Sequence, residues 1–308
     1  MNSENRHSFE KVGVVGLGAI GMLYGSAMMD AGVDVRVLVD RERLDRYTRH
    51  PARVNGREVR FRYCTPEQGE PLDLILYATK ASGLDAAMEV SAPFVGEETL
   101  LLSLLNGITS EEVLEGRFGK ERVIYSVAQG MDAVREGREL RCTHSGQVIL
   151  GEREPGAVSP RCRELAAWLT AHGVSAQAVP DMRRRQWGKL MLNVGVNQTV
   201  MVFEGTYGTV QVPGRPREVF IEAMREVQRL SALEGYPLSE EDLKGYIAIN
   251  DSLDPEGAPS MRQDGKAHRP SEVELFAGTV IRLAKRHGLP VPVNQWLYDR
   301  VREMEAAY

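Results

Sequence analysis

Val12-Gly13-Val14-Val15-Gly16-Leu17-Gly18-Ala19-Ile20-Gly21-Met22 is the stretch on which the fold turns. Val12 to Gly16 is a short β-rich apolar run, and Gly16-x-Gly18-x-x-Gly21 follows at once. Met22 to Ala31 has helical composition, Gly32 closes it, and Val33 to Val39 reads as a second strand ending at Asp40. Strand, glycine turn, helix and strand make one βαβ unit of about 30 residues. Neither strand alternates cleanly between apolar and polar, which suits parallel strands covered on both faces.

Working outward, the same texture continues. Leu72 to Ala78 reads as a strand ending in Thr79-Lys80, and Thr99 to Leu105 as another ending in Asn106-Gly107. Arg122 to Val127 is a third, with weaker candidates at Gln147 to Leu150 and Ser175 to Val179 and a helix between them over Ser159 to His172. After Asp181 the pattern turns helical: Met182 to Val202, Arg217 to Glu234, Ser239 to Asn250, Pro270 to His287 and Val293 to Glu305. Gly235-Tyr236-Pro237 and Gly288-Leu289-Pro290 now mark helix ends. The expected organisation is an α/β dinucleotide-binding domain with a parallel sheet over 1–180, then an all-α domain over 181–308.

Length and composition agree. A chain of 308 residues suits two domains, and 43% hydrophobic with 26% charged residues is globular. Its 38 Lys and Arg against 43 Asp and Glu leave a formal net charge of −5, with no long basic run, which argues against nucleic acid as a partner. The three cysteines Cys64, Cys142 and Cys162 form no CxxC pair, and the 6 histidines show no ligand spacing, so neither a disulfide framework nor a metal site is expected. The polar start MNSENRHSFEK lacks the apolar core of a secretion signal, and no apolar stretch approaches the ~20 residues of a membrane span. A cytoplasmic protein with no membrane partner is expected.

The glycine hexad has a mechanical reading. Gly16 permits a tight turn, Gly18 lets the backbone approach a pyrophosphate, and Gly21 allows close helix–strand packing. The helix N-terminus offers its unpaired N–H groups to the phosphates. Leu17, Ala19 and Ile20 complete the turn. Asp40 lies 19 residues after Gly21, where the adenosine ribose of a dinucleotide is expected. A carboxylate there accepts bonds from the ribose hydroxyls and repels a 2′-phosphate, favouring NAD. Arg41 and Arg43 beside it would instead suit the 2′-phosphate of NADP. Lys80 and Asn106 stand at the carboxyl ends of their strands, where ligands of open α/β sheets lie. Lys80 suits a phosphate, a ribose or an anionic substrate, and Asn106 a ribose or the nicotinamide region.

In the helical half, Lys189, Asn193 and Asn197 recur at i, i+4 and i+8 within an otherwise apolar segment, Trp187 to Asn197. They line one helix face, and burying such a stripe requires polar partners, such as a ligand bearing a carboxylate and a carbonyl. Ser260-Met261-x-Gln263-Asp264 is a further element. Pro270 is expected to begin a helix, placing Glu272 in its first turn, where a carboxylate suits the dipole.

Together these residues resemble the ketopantoate reductase (2-dehydropantoate 2-reductase) family. The matching pieces are Gly16 to Gly21, Lys80-Ala81, Leu105-Asn106-Gly107, Lys189-Leu190-x-x-Asn193-x-x-x-Asn197, Ser260-Met261-x-Gln263-Asp264 with Glu272 downstream, and His287 to Asn294. The glycine turn is shared by many families; the lysine–asparagine helix with its serine and glutamate is specific. The resemblance covers nearly the whole chain and implies an N-terminal Rossmann domain and an all-α C-terminal domain. It implies hydride transfer from NADPH or NADH to the ketone of a 2-oxo acid, giving an (R)-2-hydroxy acid in pantothenate and coenzyme A synthesis. Lys189 would be the general acid. Asn193, Asn197 and Ser260 would hold the substrate, Asn106 would lie between cofactor and substrate, and Glu272 would contact the cofactor and position Lys189. By spacing, Ala133 falls near a further family cofactor contact, with a poor local match.

Two departures bear on specificity. Members using NADPH commonly carry arginine where this chain has Asp40, and a substrate-contacting asparagine of the family falls on Tyr207. The alternatives are therefore an NAD-dependent (R)-2-hydroxyacid dehydrogenase acting on another branched or aromatic 2-oxo acid, and a non-catalytic dinucleotide-binding sensor. The sensor has no use for Lys189 set with Asn193, Asn197, Ser260 and Glu272. A helical second domain is also compatible with a homodimer.

Overall fold

The computed structural model describes residues 9–308, so most of the polar N-terminal segment lies outside the described residues. The chain divides into two compact units, with the division between Met182 and Arg183.

The first unit is built on an eight-stranded sheet. Its strands are β1 (Lys11–Val15), β2 (Asp34–Leu38), β5 (Arg62–Cys64), β6 (Leu74–Tyr77), β7 (Leu100–Ser103), β8 (Val123–Met131), β11 (Ser145–Gly151) and β12 (Ala176–Ala178), in the order β12-β11-β8-β7-β6-β1-β2-β5. Every pairing is parallel except β8 with β11. The apolar runs are continuous because both faces are covered. Val12, Val14, Leu74, Leu76, Leu100 and Leu102 join one buried cluster, while Val15, Ile75, Tyr77 and Leu101 join another. Removing each such side chain from water contributes about 1.5–3 kcal/mol. The helices of this unit are α1 (Ala19–Asp30), α2 (Arg41–Arg49), α3 (Leu84–Ser91), α4 (Ser110–Phe118) and α5 (Pro160–Ala171).

Regular alternation of strand and helix breaks in two places. Ala52–Val54 (β3), Arg57–Val59 (β4), Val134–Glu136 (β9) and Glu139–Arg141 (β10) form a second, four-stranded sheet in the order β4-β3-β10-β9. Each strand has only three residues, too few to show a period, so this sheet left no pattern in the sequence. It packs against α1 through β3 and β10.

The second unit is all helical: α6 (Met182–Val202), α7 (Tyr207–Gln211), α8 (Arg215–Leu233), α9 (Glu240–Asp251), α10 (Ser260–Lys266), α11 (Thr279–Arg286) and α12 (Pro292–Glu305). Helix α8 contacts α7, α9, α11 and α12. Gly195 of α6 lets α8 approach, since a methyl there would lie 2.6 Å from Met224 Cγ and 2.9 Å from Phe220 Cδ2. The buried Glu226 carboxylate of α8 accepts the N–H groups of Val293 and Asn294, both at 2.8 Å, and so caps α12.

One expectation is corrected here. Pro270 does not begin a helix over 270–287: Glu274–Gly278 is a π-helical turn that leads into α11, and Glu272 sits in a bend ahead of it. The Glu305 carboxylate of α12 takes the Ser271 N–H at 2.7 Å, and Ser271 Oγ takes the Val273 N–H at 3.3 Å. These bonds hold the chain in a turn where a helix would have started. The Glu272 carbonyl then accepts the first helical-type bond, from Phe276 N at 3.0 Å.

Among the described residues, no helix is long and apolar enough to cross a membrane, and no group of three or more His, Cys, Asp or Glu side chains could hold a metal ion.

Candidate active site

In the first unit the candidate residues follow one register row. Leu38, Val15, Tyr77 and Ser103 pair across β2, β1, β6 and β7, so these strands end level. Gly18, Lys80 and Asn106 each lie three residues beyond their member of that row, and Asp40 two residues beyond Leu38. The chain leaves β1 for β2 on one side and returns to β6 on the other, so the glycine turn stands at the topological switch point, where such sheets bind ligands.

The three glycines are required for different reasons. Gly16 has φ +97°, a left-handed conformation that side chains disfavour. A Cβ at Gly21 would lie 1.9 Å from the Gly16 carbonyl oxygen, so the helix could not pack. At Gly18 a Cβ would meet only the Ala78 carbonyl oxygen, at an ordinary 3.5 Å, and φ is −77°. Nothing in the protein demands glycine there. Gly18 is also the N-cap of α1, with no side chain capping the helix and no acidic residue in its first turn. Beside the turn, Thr79 Oγ1 is buried without a hydrogen-bond partner. A glycine at Gly18 that the packing does not require, an uncapped helix start and an orphan hydroxyl at one place fit a bound dinucleotide. Leu17 is buried, with Ala19 and Ile20 half-buried around it.

Asp40 does two things that its position at a strand end did not reveal. Its Oδ1 accepts the Arg43 N–H at 2.7 Å, which makes it the N-cap of α2, and its Oδ2 pairs with the Arg43 guanidinium. Arg41, with its side chain 81% exposed, reaches Glu67 at 3.2 Å. Lys80 is exposed and starts the short 3₁₀ turn Ala81–Gly83. Asn106 is half-buried and precedes Gly107, whose φ is +90°. Ala133 is half-buried between β8 and β9. Sequence reasoning missed Arg135 on β9, whose guanidinium donates to the Leu17 carbonyl at 2.7 Å from 118 residues away; no local pattern marks it.

In the second unit, α6 presents Lys189 and Asn193 half-buried and Asn197 buried. Asn197 Oδ1 accepts Ser260 Oγ at 3.0 Å and the Met261 N–H at 3.2 Å, while its Nδ2 donates to Asn193 Oδ1 at 3.5 Å. The structure therefore brings together Asn193, Asn197 and Ser260. Helix α10 has Pro259 at its N-cap with no side-chain cap of its own, so Asn197 supplies that bond from another element. Because a backbone N–H only donates, it must face Oδ1 of Asn197. That choice directs the Asn197 amide towards Asn193 Oδ1, so the oxygen is the end of the Asn193 amide that this line engages. Glu272 stands in the bend ahead of the π-helical turn. Tyr207 opens α7, its N–H bonded to the Gly257 carbonyl at 2.9 Å, and its ring would lie 3.0 Å from a Cβ at Gly257. Burial pushes the Tyr207 phenol above its ordinary pKa.

Both halves of the chain are similar to known proteins. The model of ketopantoate reductase PanE/ApbA matches residues 12–155, and that of its C-terminal part matches residues 181–305. The 2-dehydropantoate 2-reductase of Archaeoglobus fulgidus is 27% identical over 300 residues, covering 96% of this chain and 98% of the relative. A crystal structure of 2-dehydropantoate 2-reductase from Geobacter metallireducens is 26% identical with TM-score 0.84, covering 95% and 99% of the two chains. A ternary structure of D-mandelate dehydrogenase with NADH and anilino(oxo)acetate is 24% identical with TM-score 0.85, covering 96% and 98%, and shares the fold. With residues 12–155 and 181–305 matched, the chain belongs to the ketopantoate reductase family, NAD(P)H-dependent oxidoreductases that act on a ketone.

Proposed function

We propose that this protein reduces 2-dehydropantoate to (R)-pantoate. The observation that carries the reading is that Asn193 and Asn197, on the helix that also bears Lys189, are joined by hydrogen bonds to each other and to Ser260 at the start of α10. When bound, the cofactor supplies the hydride that adds to the ketone carbon. Gly16 to Gly21 and Lys80 hold its phosphates, Asp40 and Arg41 its ribose end, and Asn106 and Glu272 the nicotinamide side. Asn193, Asn197 and Ser260 hold the substrate's carboxylate and hydroxyl. Lys189, one helical turn or about 6 Å along the axis from Asn193, donates the proton to the ketone oxygen. Its ammonium also stabilises the alkoxide charge that develops there. Glu272 positions Lys189.

A second reading rests on Tyr207 and Asp40. A half-buried aromatic ring packed on Gly257 offers an apolar wall in place of an amide, and a carboxylate after the second strand disfavours a 2′-phosphate. Both features suit an NADH-dependent (R)-2-hydroxyacid dehydrogenase for a bulkier branched or aromatic 2-oxo acid.

The test follows absorbance of the reduced nicotinamide with 2-dehydropantoate and with an aromatic 2-oxo acid, using NADPH and NADH in parallel. Preferred turnover of 2-dehydropantoate supports the first reading, and preference for the aromatic acid the second. Lys189→Ala should leave cofactor affinity intact and lower kcat by about 10²–10⁴-fold. Unchanged turnover would remove Lys189 from the chemistry.

A further inference from the structure

We propose that Arg135 is a positioning residue for the cofactor's pyrophosphate, acting through the Leu17–Gly18 peptide. The inference rests on the reading of Gly16 to Gly21 as the phosphate-binding turn. The turn carries no formal positive charge of its own, since Gly16 to Met22 contains no Lys, Arg or His. The cation beside it comes from the small second sheet. There β9 is an edge strand, exposed at Val134, Arg135 and Glu136 alike, held by antiparallel pairing to β10. Arg135 stands opposite Leu140, and the fully buried Leu140 anchors the hairpin. The fold of the hairpin thus depends on Leu140, while Arg135 extends from it to the Leu17 carbonyl at 2.7 Å.

That bond has a directional consequence. The peptide is planar and trans, as are all peptides among the described residues, so the Leu17 carbonyl and the Gly18 N–H point in opposite directions. A guanidinium on the carbonyl side fixes the Gly18 N–H on the far side, at the glycine where a Cβ would make only an ordinary contact with the Ala78 carbonyl oxygen. The positive charge at the oxygen end also polarises the peptide and makes that N–H a better donor to an anion. A second effect is simple attraction: a cation in addition to Lys80, near two phosphate charges that the turn itself meets only with amides.

The experiment is titration of the full-length protein with NADH, NADPH and ADP, the last carrying the pyrophosphate without the nicotinamide. Arg135→Gln should raise Kd about tenfold for all three, the difference between a charge-assisted and a neutral hydrogen-bond network, and make the dependence of Kd on salt shallower. Arg135→Lys, which keeps the charge, should recover affinity to within about threefold of wild type. At saturating cofactor, kcat and the KM for the 2-oxo acid should be unchanged. Wild-type affinity in Arg135→Gln would overturn the proposal, as would equal losses in the Gln and Lys variants, the mark of a merely structural role. Gly18→Ala separates the two layers of the argument. If it loses binding while Arg135→Gln does not, Arg135 alone is rejected. If Gly18→Ala binds normally, the turn and the proposal fall together.

Discussion

Gly18→Ala divides what the protein needs from what a ligand needs. The methyl would meet only the Ala78 carbonyl oxygen at 3.5 Å, and the backbone at φ −77°, ψ −165° is open to any residue. Loss of glycine's unfolded-state freedom contributes about 0.4–1 kcal/mol of stability. Alanine is a poorer N-cap than glycine by a comparable amount, so the net effect should fall within about 1 kcal/mol of zero. At a few degrees per kcal/mol for a chain of this size, Tm should move by less than about 3 °C. Binding should respond differently under the proposed reading, in which a phosphate lies against the turn's amides at Gly18 and the new methyl would crowd it. Losing one charge-assisted hydrogen bond of about 1.5–3 kcal/mol weakens cofactor affinity by about 10–150-fold. Gly21→Ala is the comparison: its methyl would sit 1.9 Å from the Gly16 carbonyl oxygen, which forces the helix away from the strand. That variant should lose at least 1–3 kcal/mol in unfolding experiments. Cofactor fluorescence titrations and thermal unfolding on the two variants decide the matter. Wild-type affinity in Gly18→Ala, or destabilisation like that of Gly21→Ala, would refute the reasoning.

Three further outcomes are expected. Glu226→Gln should cost about 1.5–3 kcal/mol, because a buried carboxylate that accepts three N–H groups at the start of α12 would be replaced by an amide presenting a donor to donors. The denaturant midpoint should fall with the m-value unchanged. Arg161, opposed by partial burial and helped by Ser159, holds the Glu152 carboxyl below its ordinary pKa. Its contribution is therefore present above the unfolded-state value near 4.3 and lost as pH falls through the folded value. Glu152→Gln should be less stable than wild type at pH 7, with the gap closing below about pH 4; a gap constant with pH would contradict the ion-pair account. Asp40→Asn keeps an acceptor for the Arg43 N–H but removes the charge, so it should narrow any preference for NADH with little change in Tm. An unaltered cofactor ratio would mean that Asp40 does not face the ribose.

How much of this was legible in the sequence depended on distance along the chain. The glycine turn was legible because its spacing, the preceding strand and the following helix lie within one local unit. The helix bearing Lys189, Asn193 and Asn197 was legible because a period of four residues is a local property of the backbone. The second sheet was not, since strands of three residues carry no period. Glu272 was misplaced because Pro270 is a good helix opener by local rules, whereas the Glu305 carboxylate, 34 residues on, claims the Ser271 N–H.

By itself, then, the sequence determined the parallel sheet with its apolar strands covered on both faces, the glycine turn after its first strand, and the polar stripe on a long helix. Each of these follows from side-chain periodicity and from where glycine is tolerated, which neighbouring residues settle among themselves. Only the tertiary structure decided that Asn197 caps a helix 63 residues away and joins Ser260 to Asn193. It alone decided that Arg135 reaches the Leu17 carbonyl, and that Gly18, unlike Gly16 and Gly21, is required by nothing inside the protein. Such contacts form where the packing of whole elements closes long loops, and that balance of burial against chain entropy is a sum over the molecule that no local stretch of sequence contains.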